Sequence, residues 1–157
     1  MVTWGIKNEI SENDKKNFDK YLDIAIPEYA NDKVEAGTWK KSEAINLAKD
    51  SYAELLPNGV DTPDNFLFSI TINSELIGMI WVKNIDKKLF IYDFMINEEH
   101  RGQGHGKNSL SLLEIWASEH GIKEIGLHVF AHNKSAYALY KKMGYVETDI
   151  TMVRKIK

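Results

Sequence analysis

The sequence predicts an α/β fold in which a mixed, mostly antiparallel sheet carries helices on both faces. Two patterns lead to it. Three runs of strand character, Phe66 to Ile72, Leu76 to Val82 and Leu89 to Ile96, are separated only by short polar turns, Asn73-Ser74-Glu75 and Asn84-Ile85-Asp86-Lys87. Such neighbours pair as an antiparallel meander. Beyond them, the passage from Phe90 to Val129 reads strand, glycine-rich loop, helix, strand, a crossover that sets its two strands parallel.

Taken in order, Val2 to Ile10 alternates as a short edge strand. Ser11 with Asp14 resembles a helix cap, and Phe18, Tyr21, Leu22 and Ile26 recur at helical spacing from about Glu12 until Pro27 interrupts them. Tyr29, Val34 and Trp39 surround a short second helical piece. Ser42 caps the next helix, with Ala44, Ile45, Ala48, Tyr52 and Leu55 on one face, and Pro57-Asn58-Gly59 ends it. After the meander, Leu110, Leu113, Trp116 and Ala117 form a stripe on a helix that stops at Gly121. A strand from Glu124 to Val129, a helix from Asn133 to Met143 and a final strand from Tyr145 to Arg154 complete the chain.

The chain of 157 residues suits a single domain spanning 1–157, and 43% hydrophobic with 27% charged residues places it among globular proteins. A net charge of -3 argues against a nucleic-acid surface. With no cysteine there is no thiolate metal site and no acyl-cysteine step, so any acyl transfer is direct. No apolar run reaches the length of a signal peptide or membrane span, which predicts a cytoplasmic protein without a membrane partner.

The chemistry centres on Arg101-Gly102-Gln103-Gly104-His105-Gly106-Lys107, where a strand gives way to a helix. Glycines there leave backbone amides open to a ligand, and the helix dipole favours an anion, so a phosphorylated ligand is the natural occupant. Spacing narrows the choice. A nucleotide-hydrolysing loop needs Gly and Ser or Thr where Arg101 and Asn108 stand, and a dinucleotide fingerprint needs Gly where Lys107 or Ser109 stands.

Arg101-x-x-Gly104-x-Gly106 resembles instead the R/Q-x-x-G-x-G/A signature of the GNAT superfamily, the acyl-CoA-dependent N-acyltransferases. A second block, Asn133-x-x-Ala136-x-x-Leu139-Tyr140-x-x-x-Gly144-Tyr145, is similar to that family's N-x-x-A-x-x-L-Y-x-x-x-G-F/Y, and lies one helix and one strand downstream. The resemblance implies the GNAT fold, whose parallel strand pair splays apart to admit a pantetheine arm, with acetyl-CoA as co-substrate. It places Arg101, Gly102, Gln103, Gly104, His105, Gly106 and Lys107 at the pyrophosphate, with the amides of Gln103, Gly104, Gly106 and Lys107 as donors. By the same analogy an amide among Phe94, Met95 and Ile96 polarises the acetyl carbonyl, Asn133 and Ala136 border the cofactor arm, and Tyr140 protonates the leaving thiolate.

One departure concerns the base. Many similar family members carry a Glu near the place of Met95; Asp93, two residues back on the same strand face, is the leading substitute, and His128 the next. A salt-bridged or solvated carboxylate is the plainer reading of Asp93, a core aromatic that of Tyr140, and an N-cap that of Asn133. The acceptor is a small-molecule or peptide amine, for which Glu28, Tyr29, Trp39 and Trp81 offer carboxylate and ring contacts, although both tryptophans also suit the core. His100, His105 and His132 show no metal-ligand spacing, and no metal is expected. A homodimer is compatible with this reading. The rival function is a non-catalytic acyl-CoA-binding sensor or regulatory module that kept the anchor and lost the base.

Overall fold

The computed structural model describes residues 8–12 and 15–157, the side chain of Glu12 excepted. Five strands, β1 Asn8–Glu12, β2 Asn65–Ile72, β3 Glu75–Ile85, β4 Lys88–Ile96 and β5 Glu124–Leu127, lie side by side in chain order. The first four pair antiparallel, and β4 pairs parallel with β5. The helices are α1 Lys15–Glu35, α2 Ala44–Leu55, α3 His105–Glu119 and α4 Lys134–Lys142. This is the mixed, mostly antiparallel arrangement that the strand spacing predicts.

The meander is fixed by its turns. Asn73 and Ser74 (φ 48° and 68°) close β2 onto β3, and Asp86 and Lys87 (φ 51° and 64°) close β3 onto β4. Two successive left-handed residues match the right-handed twist of the flanking strands, and Asn and Asp tolerate that conformation best among residues with a Cβ. The Asn84 side chain also accepts from the Lys87 amide at 3.1 Å.

The sheet separates two cores. On one face Phe68, Ile70, Ile80, Val82 and Ile91 pack with Leu110, Leu113 and Ala117 of α3 and Tyr140 of α4. On the other, Leu67, Met79 and Trp81 pack against Phe18, Tyr21 and Ala25 of α1 and Tyr52 of α2. The alternation of strand side chains sorts them to the two layers.

Several expectations are corrected. Pro27 does not end the first helix: α1 runs through it to Glu35 and absorbs the separate helical piece expected around Val34. Pro27 is exposed, so the lost amide bond falls on the solvent side, while Phe18, Tyr21, Ala25 and Ala30 keep the opposite face buried. Ser11 is no cap; it lies in β1 opposite Ser69. At the start of α2 the N-cap position is Glu43 rather than Ser42, without a side-chain cap bond. The part of the expected first strand at residues 2–7, and Asp14, fall outside the described residues.

The end of the chain differs most. Residues 145–157 form no strand, and Val146, Ile150, Met152, Val153 and Ile156 are exposed. β-Branched residues supply strand propensity, but a strand also needs a ladder partner, and none of the described strands provides one here. The segment is tied to α4 at its beginning, where the Tyr145 amide donates to the Tyr140 carbonyl at 2.9 Å and Glu147 accepts from the Tyr137 hydroxyl and pairs with Lys141 at 3.0 Å.

Candidate active site

The parallel pair does not stay paired. β4 and β5 run in register from Lys88↔Glu124 to Ile91↔Leu127, after which β4 continues to Ile96 beside β3 while residues 128–130 leave the sheet. The strand expected to reach Val129 therefore stops at Leu127. A cavity of about 330 Å³ opens where the two separate, floored by Ile91 to Phe94 on one side and by Leu127 to Phe130 on the other. Asn133 at the N-cap of α4, Ala136 and Tyr140 within it, and Ala25, Glu28, Tyr29 and Asp32 of α1 line it as well.

A bulge in β4 sets the chemistry of this cavity. Trp81 pairs with Asp93 but Val82 pairs with Ile91, so Tyr92 is an extra residue in the ladder. Simple alternation would send Asp93 to the side of Ile91, into the α3 layer. Instead Tyr92 and Asp93 both turn toward α1, Tyr92 stacking on Trp81 with ring centroids 4.7 Å apart, and Asp93 accepting from the Tyr21 hydroxyl at 2.5 Å. Alternation then resumes, with Phe94 and Ile96 packed on the α3 side and Met95 on the α1 side.

Burial raises the Asp93 carboxyl to about 6; the Tyr21 hydrogen bond works against this, and the charges of Glu28 and Asp32 add to it. Tyr140 is buried and lines the same cavity, and burial, with Asp93 second, pushes its phenol well above the ordinary value. It therefore stays protonated at neutral pH. Asn133 is the N-cap of α4, its side chain accepting from the Ala136 amide at 3.3 Å while also lining the cavity.

The peptide groups of β4 alternate as the side chains do. Asn97 donates to the Ile77 carbonyl of β3 at 2.7 Å, so Met95 and Asn97 bond toward β3, while Phe94 and Ile96 turn their peptides to the side that β5 has vacated. The Ile96 carbonyl accepts from Arg101 Nε at 2.8 Å on that side. Of the three residues named from sequence, Phe94 and Ile96 thus turn their peptides toward the gap and Met95 does not, and the Phe94 amide also bonds the Asp93 carboxylate, which holds its pKa down.

The glycine loop leads into α3. Gly102 (φ 73°) and Gly104 (φ 84°, the N-cap) are left-handed, and a Cβ added to either would meet nothing within 4 Å. The loop exterior is open. The Asn108 amide donates to the Gly104 carbonyl at 3.1 Å, which leaves the amides of the preceding turn without an intrahelical partner. Gly106 serves packing: a Cβ there would lie 3.0 Å from Leu139 of α4 and 3.7 Å from Phe94. Lys107 and Arg101 are exposed, and Gln103 donates to the Glu99 carbonyl at 3.2 Å. The His105 side chain turns inward, buried at 9% exposure against Asn8 of β1 at 3.1 Å, so only its backbone belongs to the loop surface.

His128 is exposed on the far wall of the cavity, its ring 5.1 Å from that of Phe130. Trp81 is core and donates to Asn65 at 2.9 Å, yet its edge reaches the cavity; Trp39 packs on Tyr29 at 5.4 Å, outside the lining. Sequence reading missed Tyr21 and Asp32, although both fall on the α1 stripe with Ala25 and Glu28. It also missed that His132 meets Asp32 at 2.9 Å and Glu35 at 3.6 Å across a hundred residues of chain. Those three side chains form the one group among the described residues whose donor atoms are close enough to hold a metal ion.

Comparison with known proteins identifies the family and the fold. Residues 25–145 match the model of the acetyltransferase (GNAT) family. The N-acetyltransferase YycN of Bacillus subtilis strain 168, itself uncharacterised, is 38% identical over 146 residues, covering 90% of this chain and 94% of the relative. YdgE of the same organism, also an uncharacterised N-acetyltransferase, is 33% identical over 147 residues with the same coverage of each chain. The crystal structure of the Bacillus subtilis YycN acetyltransferase superposes with a TM-score of 0.93 at 36% identity, over 96% of this chain and 99% of that one. The PaiA N-acetyltransferase of Thermoplasma acidophilum, crystallised with coenzyme A, shares the fold with a TM-score of 0.73 at 22% identity, over 93% of this chain and 94% of its own. This chain belongs to the GNAT acetyltransferase family and is an acetyltransferase.

Proposed function

We propose that this chain works as a single cytoplasmic domain that moves an acetyl group directly from acetyl-CoA to a primary amine of a small molecule or peptide, without a metal. The observation that carries the reading is that Asp93, raised to about 6, and Tyr140, held protonated, meet in one cavity between strands that separate. A base and an acid with pKa values pushed toward opposite tasks are what such a transfer needs. Among the described residues no helix is long and apolar enough to cross a membrane.

The residues fit the co-substrate. Open left-handed Gly102 and Gly104 with the free first-turn amides of α3 suit a pyrophosphate, assisted by the exposed charges of Arg101 and Lys107. Asn133 and Ala136 would border the arm, and the Ile96 amide would bond the acetyl oxygen, a donor of this kind contributing ~3 kcal/mol.

In the reaction the amine nitrogen bonds to the acetyl carbon and the carbon–sulfur bond breaks. Asp93 takes the proton released by the amine. Tyr140 supplies the hydrogen bond and the proton for the departing thiolate. With its pKa at about 6, Asp93 is about nine-tenths ionised at pH 7 and ready to accept. This base answers the Met95 departure: the bulge brings a carboxylate to the α1 side of β4, where Met95 itself packs in the core.

Calorimetric titration with acetyl-CoA and with free CoA, followed by thiol release over an amine panel, tests the reading. Tight CoA binding with amine-dependent thiol release supports it. Binding with no release from any amine would favour the non-catalytic sensor, and absence of binding would remove both.

A further inference from the structure

The α1 side of the cavity carries charge that the transfer chemistry does not require. Ala25, Glu28, Tyr29 and Asp32 follow one another at helical spacing along the face of α1 that lines the cavity. Glu28 and Asp32 thus stand on the same wall, and both charges act on Asp93. A run of aromatic rings lines the same cavity, with Tyr29 against Tyr52 at 6.0 Å, Tyr52 against Trp81 at 5.4 Å, and Trp81 against Tyr92 at 4.7 Å.

The cations nearby are mostly engaged. Lys33 lies over the Tyr29 and Trp39 rings at 5.7 and 5.3 Å. His132 pairs with Asp32 and Glu35, and His128 sits on the opposite wall against Phe130. Arg101 acts on Glu28, but Glu28 has no ion pair within 4 Å among the described residues, and partial burial of its otherwise exposed side chain raises its carboxyl above the ordinary value. A bound cation would offset that.

We infer, resting on the acetyltransferase reading above, that the acceptor is a diamine or polyamine whose reacting nitrogen meets Asp93 and whose second, ammonium group is bound by Glu28 with Asp32 behind it. The methylene chain would lie along this run of rings, which supplies apolar contact and cation–π attraction at its ends. A distal positive charge also lowers the pKa of the reacting amine, because two like charges on one short chain oppose each other. That helps a base as weak as Asp93 take the proton. An acceptor with a distal carboxylate meets repulsion at the same place.

The test compares putrescine, n-butylamine and γ-aminobutyrate, three primary amines of one chain length, by CoA thiol release at saturating acetyl-CoA. The inference requires putrescine to exceed n-butylamine in kcat/KM by about tenfold or more, as for a charge-assisted contact, with γ-aminobutyrate poorest. Glu28→Gln, at an exposed helix position, should bring the putrescine to n-butylamine ratio toward one, and Asp32→Asn should reduce it less because His132 already shares that carboxylate. Equal use of putrescine and n-butylamine, or preference for γ-aminobutyrate, overturns the inference and leaves the acetyltransferase reading standing. Thiol release from none of the three by protein that binds acetyl-CoA also overturns the inference, and release from another amine of the wider panel then keeps the acetyltransferase reading.

Discussion

The Tyr21 hydroxyl donates to Asp93 Oδ2 at 2.5 Å, joining the first helix to the bulged strand at a carboxylate whose pKa burial lifts to about 6. This bond holds the ionised form, since it lowers the Asp93 pKa against the effect of burial. Tyr21→Phe should therefore move the acidic limb of the kcat/KM profile upward from about pH 6 and cut activity most below pH 7. An unmoved limb would separate Asp93 from the rate. Asp93→Asn should remove the limb and lower turnover by ~10²-fold or more.

Asp93 also bears on stability. Its carboxyl titrates at about 6 in the folded chain against an ordinary 3.8, so between these values the folded state holds more protons than the unfolded one. Stability falls as pH rises through that window, and the deficit persists above it. Asp93→Asn, though slower in turnover, should be more stable than the parent at pH 8, by about 2–3 kcal/mol at most, and the difference should vanish near pH 4. Denaturant melts of both proteins at the two pH values measure it.

Tyr140 lines the cavity on α4, where its phenol stays protonated. Tyr140→Phe should lower kcat by ~10²-fold while acetyl-CoA affinity by calorimetry changes little. Unchanged turnover would leave Tyr140 as a core aromatic beside Tyr145, whose ring is 5.6 Å away.

At the loop, Gly104 has φ 84° and open space where a side chain would project. Gly104→Glu should weaken acetyl-CoA binding by ~100-fold through like-charge repulsion, whereas Gly104→Ala, which carries the same backbone strain without the charge, should weaken it far less. Equal loss in both variants would assign the effect to strain; normal binding by Gly104→Glu would remove the anchor.

Gly106 makes a different prediction. A Cβ would lie 3.0 Å from Leu139 Cδ2, the movable end of that side chain, so in Gly106→Ala the contact strain opposes a helix-propensity gain of about 1 kcal/mol, and a cycle with Leu139→Ala should show that strain as coupling between the two positions. Thermal melts of the single and double variants decide it.

Sequence alone determined the parts that depend on neighbours in the chain. Turn chemistry at Asn73-Ser74 and Asp86-Lys87 set the meander, the glycines from 102 to 106 marked the entry to α3, Gly121 (φ 70°) ended it, and Asn133 was legible as the cap of α4. These are local because backbone conformation and capping are decided within a few residues. Tertiary structure decided the rest. The extra residue Tyr92 exists only relative to the β3 register, and without that register nothing tells Asp93 to face Tyr21 rather than the α3 layer. α1 passes Pro27 because its buried face outweighs one lost bond, and residues 145–157 fail to form a strand for want of a partner among the described strands, despite their β-branched pattern. His132 and Asp32 meet only after the sheet is built. Long-range packing and ladder pairing are properties of two segments at once, and one stretch of sequence records only its own half.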